Sequence, residues 1–199
     1  MPSIVRVASR AMIVGMRRLA VVALALVLPL VATGVRAQAP RVVEPEQSRP
    51  WAVYFSPGGG AAQAVVEALG RAGHSVLVQA ETLSSPQITK ALVDAQHRGV
   101  KVEVILDRRQ AKGRTSSADA LARDGLTVLI DRAHPATSNV MVIDAQVVVT
   151  GSSGFTVASD RESADNLLVI HSPALAARYG ENWQVHAAHS VRHTTTTTP

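Results

Sequence analysis

The order of strand-like and helix-like segments is the feature of this sequence that most constrains its fold. Between residues 51 and 130, short apolar runs with strand character alternate with segments whose apolar residues recur at helical spacing. Such alternation is typical of parallel β-α-β units, in which helices cover a central sheet. The sequence predicts strands at 51–55, 75–80, 100–106 and 126–130, and helices at 61–72, 86–97 and 117–123.

The pattern changes after residue 130. Two apolar runs, 139–143 and 146–150, are separated only by Asp144-Ala145, a spacing that predicts an antiparallel hairpin. A strand at 166–170 and a helix at 173–188 follow. Since no internal repeat is visible, we predict one α/β domain over residues 51–190, with a mixed central sheet flanked by helices.

The amino-terminal segment has the pattern of a secretory signal. A nearly unbroken apolar run, 19–31, follows Arg17-Arg18 and is succeeded by the small-x-small sequence Val35-Arg36-Ala37. The alternative, a retained membrane anchor, is disfavoured because a spanning helix needs about 20 apolar residues. We therefore interpret residues 1–37 as a signal peptide, with translation starting at Met1 or Met16. The rest of the chain is expected to be secreted or periplasmic, without a stable membrane anchor.

Two further segments have no periodic pattern. Residues 38–50 contain three prolines and scattered charges, which favours a linker. The last residues are rich in threonine, and we predict a disordered tail over 191–199.

The charge balance argues against a broadly polyanion-binding surface. The whole chain has 20 basic and 15 acidic residues, but five of the arginines and none of the acids lie in residues 1–37. Without that segment 15 basic residues face 15 acidic ones, so a phosphate-binding patch must be local. Cysteine is absent, which means that an exported chain has no disulfide and is stabilised by its core alone.

Two common classes of site are not indicated by the sequence. The run Ser56-Pro57-Gly58-Gly59-Gly60 lacks the Lys-Ser/Thr of a P-loop and is better explained as a tight turn from strand to helix. The histidines do not follow a familiar metal-binding spacing, and the pair three residues apart on the last helix is interpreted as a solvated face. We accordingly predict no metal and no other cofactor; the histidines are His74, His97, His134, His171, His186, His189 and His193.

Three stretches together carry a family resemblance. They are 53–107, which begins VYFSPGGG; 140–156, which reads VMVIDAQVVVTGSSGFT; and 164–190, which begins ADNLLVIHS. In their content and order they resemble the small bacterial members of the phospholipase D superfamily, in particular the single-motif endonucleases. The resemblance implies a phospholipase D-like fold, a phosphodiester ligand (nucleic acid or phospholipid) and a homodimer.

The family pattern is His-x-Lys, four residues, Asp, six residues, Gly-Ser/Thr, and often x-Asn-Phe. In that family the histidine attacks phosphorus and forms a phosphohistidine, and a histidine from a second motif copy protonates the leaving oxygen. The lysine holds the non-bridging oxygens as negative charge develops. A chain with one motif must dimerise to bring two histidines together, which a two-fold axis achieves.

The motif is only partly present. By the resemblance, Asp144, Gly151-Ser152 and Asp165 occupy retained positions, with Phe155-Thr156 also matching. Thr137 and Asn139, however, stand at the positions of the catalytic histidine and lysine, and Gly154 stands at that of the motif asparagine. The nearest histidine, His134, comes three residues too early.

Two local alternatives remain open for the retained residues. Asp144 also suits a two-residue hairpin turn, and this role is compatible with its place in the family motif. Ser152 also suits a loop in which its hydroxyl group bonds to the nearby backbone.

Two functional hypotheses follow, and whether the chain is an enzyme stays open between them. In the first, the chain is a phospholipase D-like phosphodiesterase or endonuclease whose own activity is lost or reduced. In the second, it is a non-catalytic dimeric binding or assembly protein that reuses the groove. A third hypothesis, catalysis by His134 from a rearranged loop, is ranked below both.

Overall fold

The alternating half of the chain folds as its pattern predicts. A computed structural model describes residues 50–111, 117–135 and 137–194; the predicted signal peptide, the linker up to residue 49 and the final five residues lie outside the described ranges. The strands are β1 Trp51–Phe55, β2 Ser75–Ala80, β3 Lys101–Asp107, β4 Thr127–Asp131, β5 Val140–Ile143, β6 Val147–Gly151, β7 Asn166–His171 and β8 Ser190–Arg192. The helices are α1 Ala61–Gly70, α2 Pro86–His97, α3 Ser117–Arg123, α4 Val157–Arg161 and α5 Pro173–His189, with a 3-10 turn at Arg108–Ala111.

All eight strands form one mixed sheet in the order β1-β7-β6-β5-β2-β3-β4-β8. The central strands β2, β3 and β4 are parallel, and every other neighbouring pair is antiparallel. The hairpin β5-β6 and strand β7 therefore separate β1 from β2, although α1 connects these two strands in sequence. The predicted α/β class with a mixed sheet is confirmed.

Helices cover both faces of this sheet. On one face α1, α2 and α3 pack over the large apolar core, which includes the fully buried Leu69, Leu92 and Leu121. On the other face α5 covers a smaller cluster of apolar residues around Val148 and Ala176. The indole Nε1 of Trp183 donates to the carbonyl oxygen of Val78 at 2.8 Å, so the middle of α5 is fastened to β2.

The glycine run after β1 makes the tight turn that its sequence predicts. Gly58 and Gly60 have φ values of 77° and 78°, a region that other residues rarely adopt. A Cβ atom at Gly59 would lie 1.8 Å from the carbonyl oxygen of Phe55. The run is therefore explained by backbone geometry, which lets α1 begin at Ala61.

The carboxyl-terminal end corrects one prediction. Residue 191 does not begin a disordered tail, since Ser190–Arg192 form β8 and pair with the outer edge of β4. The imidazole Nε2 of His193 lies 2.7 Å from Oδ1 of Asp119, and its backbone N–H donates to Val128. The unpaired edge of β4 supplies the backbone partners that composition alone does not reveal. The short helix α4 was also not predicted.

None of the described helices combines the length and the apolar character needed to cross a bilayer.

Candidate functional site

One edge of the sheet collects most of the residues singled out by the sequence. Strands β1, β2, β3, β4 and β6 end at this edge, and β5, β7 and β8 begin there, because their directions follow from the pairing. We call it the motif edge. Thr137, Asn139, Ser152 and Asp165 lie at its β5-β6-β7 half, whereas Asp144 does not lie on it.

Ser152 and Asp165, both singled out by the sequence, are in contact at this half of the motif edge. The Ser152 hydroxyl donates to Oδ1 of Asp165 at 2.9 Å. Oγ of Ser152 also accepts from the backbone N–H of Asn166 at 3.1 Å and from the side-chain amide of Asn166 at 3.3 Å. The loop after β6 is thus joined to the start of β7 by a serine that both donates and accepts.

Thr137 and Asn139 lie where the polypeptide enters β5. Thr137 is exposed and Asn139 is half-buried. The carbonyl oxygen of Asn139 accepts from the Thr150 hydroxyl at 3.2 Å, so its backbone is held against β6. Its side-chain oxygen Oδ1 is buried and has no hydrogen-bond partner among the described residues.

The Asn139 amide also lies near Gly154. A Cβ atom built on Gly154 would lie 3.9 Å from Nδ2 of Asn139 and 3.0 Å from Oγ of Ser159. Asn139 and Gly154 are therefore close in space. Within the part of the chain that the structure describes, Asn139 supplies an amide here.

Asp144 lies at the edge of the sheet opposite the motif edge. Asp144 and Ala145 both have φ values of 53°, so they form the two-residue turn of the β5-β6 hairpin. The carboxylate accepts from the backbone N–H groups of Gly73, His74 and Ser75 at 2.7–2.8 Å. It therefore joins this hairpin to the start of β2.

These contacts also set the ionisation of Asp144. Burial alone would raise the pKa of its carboxyl group. The hydrogen bonds from Gly73, Ser75 and His74, together with the charge of the His74 ring, outweigh burial and leave the pKa below its usual value of 3.8. Asp144 is accordingly ionised and structural at neutral pH.

The other half of the motif edge holds a cluster that sequence analysis missed. Asp131 at the end of β4 meets His134 in the following loop and His186 and His189 in the last turn of α5. Nδ1 of His186 lies 2.9 Å from Oδ2 of Asp131, and Nε2 of His189 lies 3.3 Å from the same oxygen. Nδ1 of His134 lies 3.4 Å from Nε2 of His189. We call these four residues the histidine cluster.

The two α5 histidines are not the solvated face that was predicted. Their side chains are 23% and 30% exposed, and both face the fully buried Asp131. Histidines three residues apart on a helix share a face, and an aspartate ends the strand β4. What the sequence could not indicate is that β4 and the end of α5 meet, because 55 residues separate Asp131 from His186.

Asp131 is strongly held in its ionised form. Burial raises the pKa of its carboxyl group, but the N–H of His134, the rings of His186 and His189 and the N–H of Ala133 more than compensate and bring the pKa to about 2. A carboxylate at this position is therefore negative throughout the physiological range.

Arginines lie at the ends of β3 and β4. Arg108 and Arg132, which follow β3 and β4, are exposed and line one cleft at the motif edge. Arg109 instead forms two ion pairs. Its Nε lies 2.7 Å from Oδ1 of Asp107, and its Nη2 lies 2.8 Å from Oε1 of Glu81. The pair Arg108 and Arg132 is the local positive charge that a formally neutral domain would need to hold a phosphate group.

Comparison with known proteins places this site in context. The family model described as "Cardiolipin synthase, PLD-like domain" matches residues 65–185. A phospholipase D of Rickettsia felis is 38% identical over 130 residues, which cover 65% of each chain. The chain thus spans about 65% of the length of this curated relative.

Solved structures agree with the sequence comparison. The crystal structure of Nuc from Salmonella typhimurium, a phospholipase D family member, superposes with a TM-score of 0.70 at 32% identity. The match covers 73% of this chain and 98% of Nuc. NucT from Helicobacter pylori shares the fold, with a TM-score of 0.66 and 16% identity.

Proposed function

Because this chain belongs to the phospholipase D-like domain family, we propose that it keeps the frame of a phosphodiester hydrolase while its own hydrolytic activity is lost or much reduced. The frame consists of Ser152 and Asp165, whose side chains remain hydrogen-bonded at 2.9 Å. The reactive groups that this frame would support are the ones replaced.

The single observation that carries the proposal is the composition of the start of β5. Thr137 and Asn139 stand where the family's nucleophilic histidine and oxyanion-binding lysine are expected. A threonine hydroxyl attacks phosphorus only when a base removes its proton, and an amide supplies no positive charge to the developing oxyanion. Loss of both groups is expected to lower the rate by several orders of magnitude.

His134 is poorly placed to substitute for the missing histidine. Its Nδ1 lies 3.4 Å from His189, and its ring stands edge-on to those of His186 and His189, with centroids 5.9 and 5.1 Å away. These contacts direct it towards β4 and α5. Between β4 and β5 lie β3 and β2, three inter-strand steps of about 4.8 Å each. His134 therefore faces away from the Ser152–Asp165 pair.

The ligand class proposed for the frame is a phosphodiester, from a nucleic acid or a phospholipid. Arg108 and Arg132 offer two cations at the motif edge, and guanidinium groups suit phosphate oxygens. Among the described residues these two arginines line the cleft, and a protein that binds long polyanions tightly uses one cation for each phosphate contact. We therefore favour a short or single phosphodiester group.

Restoring the motif tests the proposal. The full chain carrying Thr137→His and Asn139→Lys together is assayed with a chromogenic phosphodiester and with DNA, in the presence of a chelator. We expect metal-independent turnover at least about 100-fold above that of the wild type. The matched control is Thr137→Ala with Asn139→Lys, which adds the cation without the nucleophile and should remain inactive.

Two results would overturn the proposal. One is robust wild-type turnover in chelator that His134→Ala abolishes, because it would assign the reaction to His134. The other is wild-type turnover that requires a metal ion and the His186 side chain, because it would move the reaction to the histidine cluster.

A non-catalytic dimer is the second candidate, and the edge strand β1 favours it. Trp51, Val53 and Phe55 alternate along β1, so they share one face of the strand, and they are 47%, 39% and 63% exposed. An apolar stripe at the end of a sheet is typical of a surface that contacts another chain. A symmetric dimer repeats the same replacements in both halves, so dimerisation alone restores no histidine.

Sedimentation equilibrium tests this second candidate. The wild type should sediment as a dimer, and Phe55→Ser should raise the dissociation constant at least about tenfold. Val185, which is 63% exposed on α5, offers a matched control, and Val185→Ser should leave the dimer unchanged. A monomeric wild type, or equal effects of the two substitutions, would remove the support that β1 provides.

Export is the remaining part of the proposal. We propose that residues 1–37 direct the chain to the periplasm or the medium and are removed after Ala37, as the basic, apolar and small-x-small order of that segment indicates. Amino-terminal sequencing of the protein recovered from a periplasmic fraction should begin at Gln38. Recovery of an uncleaved chain from the cytoplasm would contradict it.

A further inference from the structure

The histidine cluster brings four potential metal ligands from three parts of the chain to one point. Asp131 ends β4, His134 lies in the next loop, and His186 and His189 lie in the last turn of α5. Their ligand atoms, one carboxylate oxygen and three imidazole nitrogens, all lie within 4.8 Å of one another. We propose that the histidine cluster is a binding site for one divalent transition metal ion of the zinc type, which fastens the loop before β5 to the end of α5.

Hydrogen bonds within the cluster leave two of its contacts to share one proton. Nε2 of His189 lies 3.3 Å from Oδ2 of Asp131 and 3.4 Å from Nδ1 of His134. An imidazole nitrogen carries either one proton or one lone pair, so a protonated Nε2 would serve both acceptors only through one bifurcated bond, at long distances. Oδ2 of Asp131 also lies 2.9 Å from Nδ1 of His186. A cation among these atoms would accept all four lone pairs.

Asp131 is oriented for this role by its other oxygen. Oδ1 accepts from the backbone N–H groups of Ala133 and His134 at 2.9 and 3.0 Å, which leaves Oδ2 directed at the histidines. The residue is fully buried, so its rotamer is held by its surroundings. Hydrogen bonds that fix a ligating carboxylate in this way are a regular part of metal sites.

The donor set and the spacing favour zinc over calcium or magnesium. Three nitrogens and one oxygen match the tetrahedral coordination of Zn²⁺, whereas Ca²⁺ and Mg²⁺ prefer oxygen ligands. A tetrahedral zinc ion with bonds of about 2.0–2.1 Å keeps its ligand atoms about 3.3 Å apart. Three of the six separations among the four atoms, 2.9, 3.3 and 3.4 Å, lie close to that value, and all six are within 4.8 Å.

A bound metal ion would connect the loop after β4 to α5 at the motif edge. The loop that begins after Asp131 leads to Thr137, Asn139 and β5. A metal ion that joins His134 to His186 and His189 would hold the first part of this loop against α5, which Trp183 already fastens to β2. The ion is thus assigned a structural task.

Metal binding to the full chain, purified without a polyhistidine tag and stripped with a chelator, tests the inference. Titration with ZnCl2 should give one equivalent bound, and free Zn²⁺ at a hundredfold excess over Kd should raise Tm by about 5–10 °C. With Co²⁺ in place of Zn²⁺, the visible absorption of a tetrahedral site should appear. His186→Ala and His189→Ala should each weaken binding at least about tenfold.

His97→Ala is the matched control. This histidine is exposed at the end of α2, at the edge of the sheet opposite the cluster, and its loss should leave the affinity unchanged. Because removal of an α5 histidine could also impair folding, His134→Ala provides an exposed second variant, for which circular dichroism should match the wild type while affinity falls. Binding that is absent, that exceeds one equivalent without saturating, or that His97→Ala weakens as much as His186→Ala would overturn the inference.

Discussion

The two halves of the motif edge differ in the side chains that they bring together. At the β5-β6-β7 half Ser152 and Asp165 are in contact, and we propose that Thr137 and Asn139 there replace the family's reactive groups. The β4-α5 half corresponds to no predicted motif, yet it concentrates three histidines and a buried aspartate within a few ångströms.

This difference teaches that a motif position and a chemically capable position are separate properties. Ser152 and Asp165 are recognised from their order in the sequence, and a hydrogen bond joins them. The histidine cluster, in contrast, depends on the packing of α5 against the sheet, and no short pattern encodes it. The function of a fold therefore has to be argued from groups that are close in space.

Removing the aspartate from each half should have the largest effect on the comparison. Asp131 is fully buried and accepts from two backbone N–H groups and two histidines, whereas Asp165 is half-buried and accepts from the Ser152 hydroxyl. We expect Asp131→Ala to lower the free energy of unfolding by about 3 kcal/mol and Asp165→Ala by about 1 kcal/mol or less. Urea denaturation measures both, and equal losses would show that the halves do not differ in this way.

Asp144 provides a reference for comparing the two halves, because it lies at the opposite edge of the sheet and belongs to neither. Asp144→Asn should cost about 2 kcal/mol of unfolding free energy at neutral pH, since an amide accepts less strongly from Gly73, His74 and Ser75. The folded pKa of Asp144 lies below its ordinary 3.8, so its stabilising contribution is present above that value and is lost as the pH falls through the folded pKa.

The measurement for Asp144 is urea denaturation of wild type and variant at about pH 7 and about pH 3, and the difference between them should shrink in acid. Asp94→Asn, on an exposed residue of α2 whose pKa is lowered mainly by its hydrogen bond to Lys90, serves as a control with little effect. A difference that grows in acid would contradict the assignment.

Substitution of Gly154 tests how tightly this glycine packs against Ser159. A Cβ atom there would lie 3.0 Å from Oγ of Ser159, so Gly154→Ala should cost about 1 kcal/mol. In a Ser159→Ala background the close contact is gone, and the same substitution should cost less. A double-mutant cycle from thermal unfolding measures this coupling, and strict additivity would place the strain elsewhere.

Ser152→Ala should have the smallest effect. The residue is exposed, although its hydroxyl donates to Asp165 and accepts from Asn166, so we expect a loss of about 0.5–1 kcal/mol. Exposed Ser138, near the start of β5, is the matched control, and Ser138→Ala should change stability less. If Ser152→Ala exceeded Asp131→Ala, the frame rather than the histidine cluster would be the more stabilising half.

Local patterns accounted for most elements and for part of the site. The helices Pro86–His97 and Ser117–Arg123 begin and end as predicted, and the strands agree to within a residue or two. The family resemblance singled out Ser152 and Asp165, but their hydrogen bond was not predicted. The misses, α4 and β8, are short elements with little periodicity of their own, and β8 forms because the edge of β4 offers hydrogen-bond partners.

The sequence by itself determined the class of the fold, the hairpin at Asp144-Ala145 and the identity of the residues at the motif positions, because each of these depends on neighbours along the chain. Only the tertiary structure decided that Asp144 binds the backbone at 73–75, that His134 faces α5, and that Asp131 meets His186 and His189. Those contacts join residues 55 or more positions apart, and strand order and helix packing bring them together.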